Sequence, residues 1–528
     1  MSKKAKAEIW DKLAAHQKKL KNTHMRDMFA EDPVRFRKFS IDTGAVLLDY
    51  SKNIITEKTR TLLLDLLAAS DFEKMRAAMF SGARINVTED RAVLHTALRN
   101  VAETPVMLDG KDVMDDVKSV WEKMQNFSEA VESGAWAGFS GEKITDIVHI
   151  GIGGSALGAD MAIDALKNFH VAKLSCHFVT NVDAIEICDV MRRLNPETTL
   201  FLIASKSFTT QETMANAQAA RDWIVKHYEG DTAAVTRHFV ALSTNKKAVT
   251  AFGIDAENMF PFRDWVGGRF SMWSAIGLSV CLMIGFKNFK LLLEGAYDAD
   301  RHFEKAPPEE NIPVMLALVG LWYRNFWDAP CYSVAPYASR LKKFPLWLQQ
   351  VDMESNGKYV DIHGKTCKNA TGPIVFGYPG TDAQHSYFQL MHQGTDMIPA
   401  DFIGAVKSDH TVDSQHRMLL ANMLAQAEAL MTGQDSPDEP ARFFPGNRPT
   451  NTLLVDALTP YTLGWLMAVY EHKIFVQGMI WEINSFDQFG VELGKVLADK
   501  ILAEAEKGKA GKHDNSTTEL FARCFKTS

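Results

Sequence analysis

The chain has 528 residues, more than one ordinary hydrophobic core organises, so two large domains or a domain with extensions are expected. Apolar residues make up 46% and charged residues 23%, and a net charge of -7 is small for this length, so neither a basic nucleic-acid binder nor a disordered acidic chain is encoded. Six scattered cysteines, Cys176, Cys188, Cys281, Cys331, Cys367 and Cys524, form no C-x-x-C pair and no metal-like Cys/His spacing, which predicts reduced thiols in a cytoplasmic protein. The longest apolar stretch, residues 272–286, is about 15 residues and broken by Ser and Gly, short of a roughly 20-residue bilayer span, so no membrane partner is expected.

In chain order, residues 1–135 show helical periodicity with few strand-like runs, as over residues 62–79. Within them INVTEDRAVLHTALRN predicts a helix start at Thr88, with Arg91 and His95 four apart on one face. From residue 146 the pattern becomes strand, helix, strand. Strands are expected at 146–150, 174–180, 199–204 and 237–242, an alternation that implies a parallel sheet with ligands outside its carboxyl edge.

The first of those edges is HIGIGGSALG, where Gly151, Gly153 and Gly154 make a turn and a helix opens at Ser155. The spacing G-x-G-G-x-x-x-G fits neither the dinucleotide fingerprint nor the P-loop, yet glycines leading into a helix N-terminus can still cradle an anion. The third edge, SKSFTTQETM, supplies Ser205, Lys206, Ser207, Thr209 and Thr210 ahead of a helix, donors of the kind a phosphate monoester needs. Next, DWVGGRFS presents Arg269 after two glycines, a guanidinium able to hold a developing oxyanion.

A second alternating region begins near Cys331. The strand CYSVAPY leads to a helix over 339–358 that places Gln350 and Glu354 on one face, with Glu354 partly desolvated between Met353 and Ser355. The strand PIVFGYP leads to His385, expected in the first turn of the following helix and so at the positive end of its dipole. A last strand is expected at 452–456, Thr459 and Pro460 open a long apolar helix, and Gln488 and Lys495 stand around the start of another.

TEDRAVLHTALRN, HIGIGGSALG, SKSFTTQETM, DWVGGRFS, QQVDMESNGK, PGTDAQHSYFQLMHQGT, FPGNRPTN and DQFGVELGK together resemble the phosphoglucose isomerase family, and they span nearly the whole chain. The resemblance implies an α/β fold of two sugar-isomerase (SIS) type, flavodoxin-like, three-layer α/β/α domains with parallel-type sheets. These would occupy 136–285 and 286–507, after an N-terminal helical region over 1–135 and before a C-terminal helical arm over 508–528. It implies interconversion of glucose 6-phosphate and fructose 6-phosphate, without metal or organic cofactor, by a homodimer.

By position, Ser205, Ser207 and Thr210 would hold the phosphate, with Gly154, Ser155 and Lys206 beside it. Glu354 would move the proton, Arg269 would stabilise the enediolate, and Gln350 and Gln488 would orient the sugar. His385, supplied across the dimer interface, and Lys495 would open the ring. The resemblance departs at Tyr378, where the family usually has Glu, and at Ser207, where Thr is common.

Overall fold

Thirteen strands are present among residues 3–171 and 173–525, which the computed structural model describes: β1 (Ser40–Asp42), β2 (Val46–Asp49), β3 (Met107–Leu108), β4 (Lys111–Asp112), β5 (Asp146–Ile150), β6 (Ser175–Val179), β7 (Thr199–Ala204), β8 (Phe239–Leu242), β9 (Met259–Phe260), β10 (Cys331–Tyr337), β11 (Ile374–Phe376), β12 (Ala400–Lys407) and β13 (Thr450–Ala457). The first sheet is wholly parallel in the order β6-β5-β7-β8-β9, the flavodoxin-like 2-1-3-4-5 arrangement. Its central strand β7 reads as an almost continuous apolar run, and every residue of it is buried, whereas the edge strand β6 is only partly buried.

The second sheet runs β1-β2-β13-β12-β10-β11. Its parallel part repeats the same order, β11-β10-β12-β13, and β2 then joins β13 antiparallel. Both sheets therefore reverse direction beside their first strand, which opens a crevice at the carboxyl ends. Pro336 sits inside β10 without breaking it. The pairing to β11 ends at Ser333↔Phe376, so at Pro336 the strand has a neighbour on one side only and loses no second ladder bond.

Two long helical segments, Leu278–Lys305, which kinks at Gly285 (φ 74°), and Pro460–Trp481, pack together. They touch through glycine: a Cβ on Gly295 would lie 1.8 Å from the Tyr461 carbonyl oxygen. Thr459 caps the second helix by accepting from the Thr462 N–H, with Pro460 in its first turn as expected. The segment Ala275–Lys305 is long and apolar enough to cross a bilayer by length and composition, more than the 272–286 run suggested, and 67% of its most apolar window is buried within the protein. Arg99, fully buried, fastens the pair by donating from Nε and Nη2 to Asp300 at 2.8 and 2.7 Å and from Nη1 to Glu471.

Three expectations from the sequence are corrected. The helix over residues 88–100 does not form. Asn86 and Arg91 exchange backbone hydrogen bonds at 3.1 Å around a turn with Asp90 in the left-handed region, so Arg91 is half-buried while His95 is fully buried, and they share no helix face. Residues 1–135 are not all helical either, because β1 and β2 form a hairpin that extends the second sheet. His385 lies at the C-terminal end of the short helix Gly380–Gln384 rather than in the first turn of Phe388–Gln393.

The chain divides into two compact units, Met1–Ser485 and Phe486–Ser528. The second unit consists of the helices Glu492–Glu506 and Asn515–Cys524, joined where the Gly511 N–H and His513 Nε2 both bond to Glu504.

Candidate active site

Four segments of the first unit converge at the carboxyl edge of β5 and β7. The turn after β5 is held from below by His149, a buried residue whose Nε2 lies 2.6 Å from the Ser155 carbonyl oxygen and whose Nδ1 lies 3.0 Å from Ser279 Oγ. Burial pushes this imidazole down to about 4, so the ring is neutral. Nε2–H then donates to the carbonyl and Nδ1 accepts from the Ser279 hydroxyl. The turn is closed by its own backbone, the Ser155 N–H donating to the Ile152 carbonyl at 3.2 Å and the Ala156 N–H to the Gly153 carbonyl at 3.0 Å.

Only glycine fits at two positions of the turn. Gly153 has φ +58°, and a Cβ there would lie 3.1 Å from Gln350 Nε2. A Cβ on Gly154 would lie 2.3 Å from the Gly268 carbonyl oxygen and 2.6 Å from the Arg269 nitrogen. The glycine turn therefore packs directly on the segment that carries Arg269 and beside the one that carries Gln350.

The loop after β7 is anchored by Phe208, which is 3% exposed and adopts φ 53°. With that ring in the core, Ser207 and Thr209 are exposed, Thr210 is half-buried and Ser205 is buried. Ser205 Oγ donates to Thr210 Oγ1 at 3.2 Å, and Thr209 Oγ1 donates to Ser207 Oγ at 2.7 Å. Thr210 occupies the N-cap position of the helix Gln211–His227, yet its side chain makes no capping bond and stays available to a ligand. Lys206 donates to the carbonyls of Asp264 and Val266 at 3.2 and 3.3 Å, tying this loop to the residues that precede Gly267. Burial, and then the neighbouring Arg91, lower the Lys206 ammonium from its ordinary value. Arg91 is thus beside the hydroxyl loop, a location that its assignment to a helix face had hidden.

Arg269 and Glu354 meet where the third and fourth segments join. Arg269 is 4% exposed in the short 3-10 helix Gly268–Trp273. Its Nε donates to Ser355 Oγ at 2.6 Å, its Nη2 donates to the Ser485 carbonyl at 2.5 Å, and its Nη1 lies 3.8 Å from Glu354 Oε1. Glu354 is 21% exposed, so it can reach a ligand without being fully solvated.

Gln350 and Glu354 bound a π-helical turn, Gln350–Glu354, that interrupts the helix begun at Phe344. Pro345 is tolerated because it stands in that helix's first turn. The π-turn itself was not expected from the sequence; such single turns of wider helix recur at functional sites because the extra residue re-aims the side chains that follow.

The structure thus brings Gly154, Ser155, Ser205, Lys206, Ser207, Thr210, Arg269, Gln350 and Glu354 into one connected set of turns. It does not add His385 to them: this residue is exposed, and its imidazole makes no hydrogen bond, ion pair or ring contact with any described residue. Tyr378, seven positions before it, is half exposed and donates its backbone N–H to Tyr387 Oη at 3.2 Å. Gln488 and Lys495 belong to the second unit, where Lys495 is exposed on a helix with no buried residue.

A doubly wound α/β protein with a glycine turn at a topological switch point, and a carboxylate facing a buried guanidinium beside it, is the class that fold and site define. Residues 49–521 match the family model described as phosphoglucose isomerase. A glucose-6-phosphate isomerase of Methylococcus capsulatus is 50% identical over 537 residues, which cover 98% of this chain and 98% of that one. One from Chlorobium luteolum is 50% identical over 536 residues, covering 98% and 97%. The crystal structure of a glucose-6-phosphate isomerase from Chlamydia trachomatis matches with a TM-score of 0.88 at 31% identity, over 97% of this chain and 98% of that chain. The chain belongs to the phosphoglucose isomerase family.

Proposed function

We propose that the protein interconverts D-glucose 6-phosphate and D-fructose 6-phosphate, a step of glycolysis and gluconeogenesis. The observation that carries this reading is the buried Arg269 guanidinium set 3.8 Å from the Glu354 carboxylate, beside the glycine turn. The hydroxyls of Ser205, Ser207 and Thr210 grip the phosphate with Gly154, Ser155 and Lys206 at its side, and Gln350 and Gln488 orient the sugar. His385 and Lys495 open the ring by moving a proton between the ring oxygen and the C1 hydroxyl.

In the open aldose, Glu354 takes the proton from C2. The C–H electron pair becomes the C1=C2 bond, and the C1 carbonyl pair moves onto oxygen, where Arg269 stabilises the charge. A proton passes from the C2 hydroxyl to the C1 oxygen, Glu354 returns its proton to C1, and C2 becomes the ketone. No electrons leave the sugar, so no oxidant or reductant enters. In this reading residues 136–285 supply the phosphate grip and residues 286–507 the acid–base groups, with 1–135 before them and 508–528 after them in the chain. The phosphate contacts, remote from the reacting carbons, supply binding energy that holds the open chain near reacting geometry.

Purified protein treated with a metal chelator is expected to convert fructose 6-phosphate to glucose 6-phosphate, read through a coupled glucose-6-phosphate dehydrogenase. Folded protein that binds the sugar phosphate without turning it over would instead be a sugar-phosphate sensor, and loss of turnover on chelation would remove the cofactor-free reading.

The exposed, unengaged imidazole of His385 supports a site completed by the neighbouring subunit of a cytoplasmic homodimer. Glu354→Gln and His385→Ala proteins, each inactive, are then expected to regain partial turnover when unfolded and refolded together. Confirmed mixed dimers with no recovery would place His385 in its own subunit's site.

A further inference from the structure

Lys473 and Asp352 form an ion pair sealed from solvent, with Nζ 3.2 Å from Oδ2 and side chains 2% and 0% exposed. Asp352 is the middle residue of the π-turn Gln350–Glu354, and Lys473 comes from the long helix Pro460–Trp481. A second carboxylate, Asp401, lies nearby but is already engaged by the hydroxyls of Tyr332 and Tyr470 and by the Asn451 amide. Lys473 Nζ itself stands 4.2 Å from the Tyr332 ring centroid, so the ammonium has aromatic surface on one side and Asp352 on the other.

Such a pair contributes little net stability. Removing two charges from water is costly, and apolar residues of similar size often do as well or better. Here the cost is not fully offset, because Asp352 Oδ1 has no hydrogen-bond partner among the described residues. What an ion pair provides that an apolar pair does not is a single register. The element it holds is one that needs such help, since a π-turn is a rare, locally unfavourable winding.

We propose that the Lys473–Asp352 pair is a positioning device for the reacting carboxylate: it holds the π-turn in the one arrangement that sets Gln350 against Gly153 and Glu354 against Arg269. The same long helix steadies the cation. Asn356 Nδ2 donates to the Ile474 carbonyl at 3.0 Å, Ser485 Oγ donates to Asn356 Oδ1 at 2.7 Å, and Arg269 binds the Ser485 carbonyl in turn. Base and oxyanion partner are thereby referred to one frame. The inference rests on the reading of Glu354 as the base.

The test compares Asp352→Asn, which keeps the shape and one hydrogen bond while deleting the charge, with the double variant Asp352→Asn/Lys473→Gln. Both are expected to lower kcat by roughly tenfold or more with KM within about twofold, since displacing a reacting group by about 1 Å can cost 100-fold. Both should also raise the primary isotope effect measured with glucose 6-phosphate deuterated at C2, because proton transfer becomes slower relative to the other steps.

A pair that is merely structural would lower the melting temperature and leave kcat and the isotope effect of the folded enzyme at wild-type values; that result overturns the proposal. Should Asp352→Asn, which leaves the buried Lys473 ammonium without its counter-ion, fail to fold, the double variant alone decides. Wild-type protein assayed in parallel separates the two claims. Its inactivity would overturn the isomerase reading, whereas active wild type with unchanged variants would overturn only the role of the pair.

Discussion

Glu354→Gln is expected to cut turnover of the sugar phosphate by at least about 100-fold while leaving its affinity within about threefold. The substitution keeps the size of the side chain and its place at the end of the π-turn, and a neutral amide oxygen beside Arg269 meets no new repulsion. What it loses is the lone-pair basicity that accepts the C2 proton. The hydroxyls of Ser205, Ser207 and Thr210 hang from the loop after β7 in the other sheet, so phosphate binding has no reason to change. Steady-state kinetics paired with a binding titration of a non-reacting sugar phosphate would check this. Near-normal kcat would falsify the assignment of the base, and a large loss of affinity with retained kcat would recast Glu354 as a binding group.

The sheet core was legible because parallel strands covered on both faces must be apolar throughout: 146–150 and 199–204 are β5 and β7 as read, and the strands near 174–180, 237–242 and 452–456 differ only at their ends. Of the parallel strands, two escaped notice. β12 carries the buried Asp401 within its apolar run, and β9 is only two residues long.

The β1–β2 hairpin escaped because its neighbours are helical and its partner, β13, lies some four hundred positions away in the chain, where local periodicity has nothing to say. The segment 88–100 misled for the opposite reason. Its local helix-start chemistry is real, but the turn at Asp90 and the burial of His95 are imposed by the fold. The motif residues of the first unit were legible one by one. What the sequence could not supply was how they touch: the Gly154 backbone against the Gly268–Arg269 peptide, His149 beneath the turn, Arg91 next to Lys206, and a π-turn pinned by a lysine 121 positions further on.

Arg269→Met is expected to lower kcat/KM by about 100- to 1,000-fold, the range that follows removal of one preorganised oxyanion partner. Arg269 faces Glu354 with Nη1 while Nε and Nη2 are committed to Ser355 and Ser485, so its planar fork is fixed before the substrate arrives and little reorganises as charge develops. Arg269→Lys should fall between Met and wild type. An ammonium keeps the charge but cannot span Ser355 and Ser485 while also pointing at the substrate oxygen.

Because the base creates the charge that the guanidinium receives, the two effects should not add. The double variant Glu354→Gln/Arg269→Met is expected to be only slightly slower than the worse single variant, since without proton abstraction there is no enediolate to stabilise. Full multiplication of the two losses would mean that Arg269 acts on another step, such as ring opening or binding. A melting temperature lowered by several degrees with kcat preserved would mean that its contacts to Ser355 and Ser485 serve the fold alone. Catalysis by this pair requires the first pattern: stable protein, near-normal binding, and a rate loss that vanishes when the base is already gone.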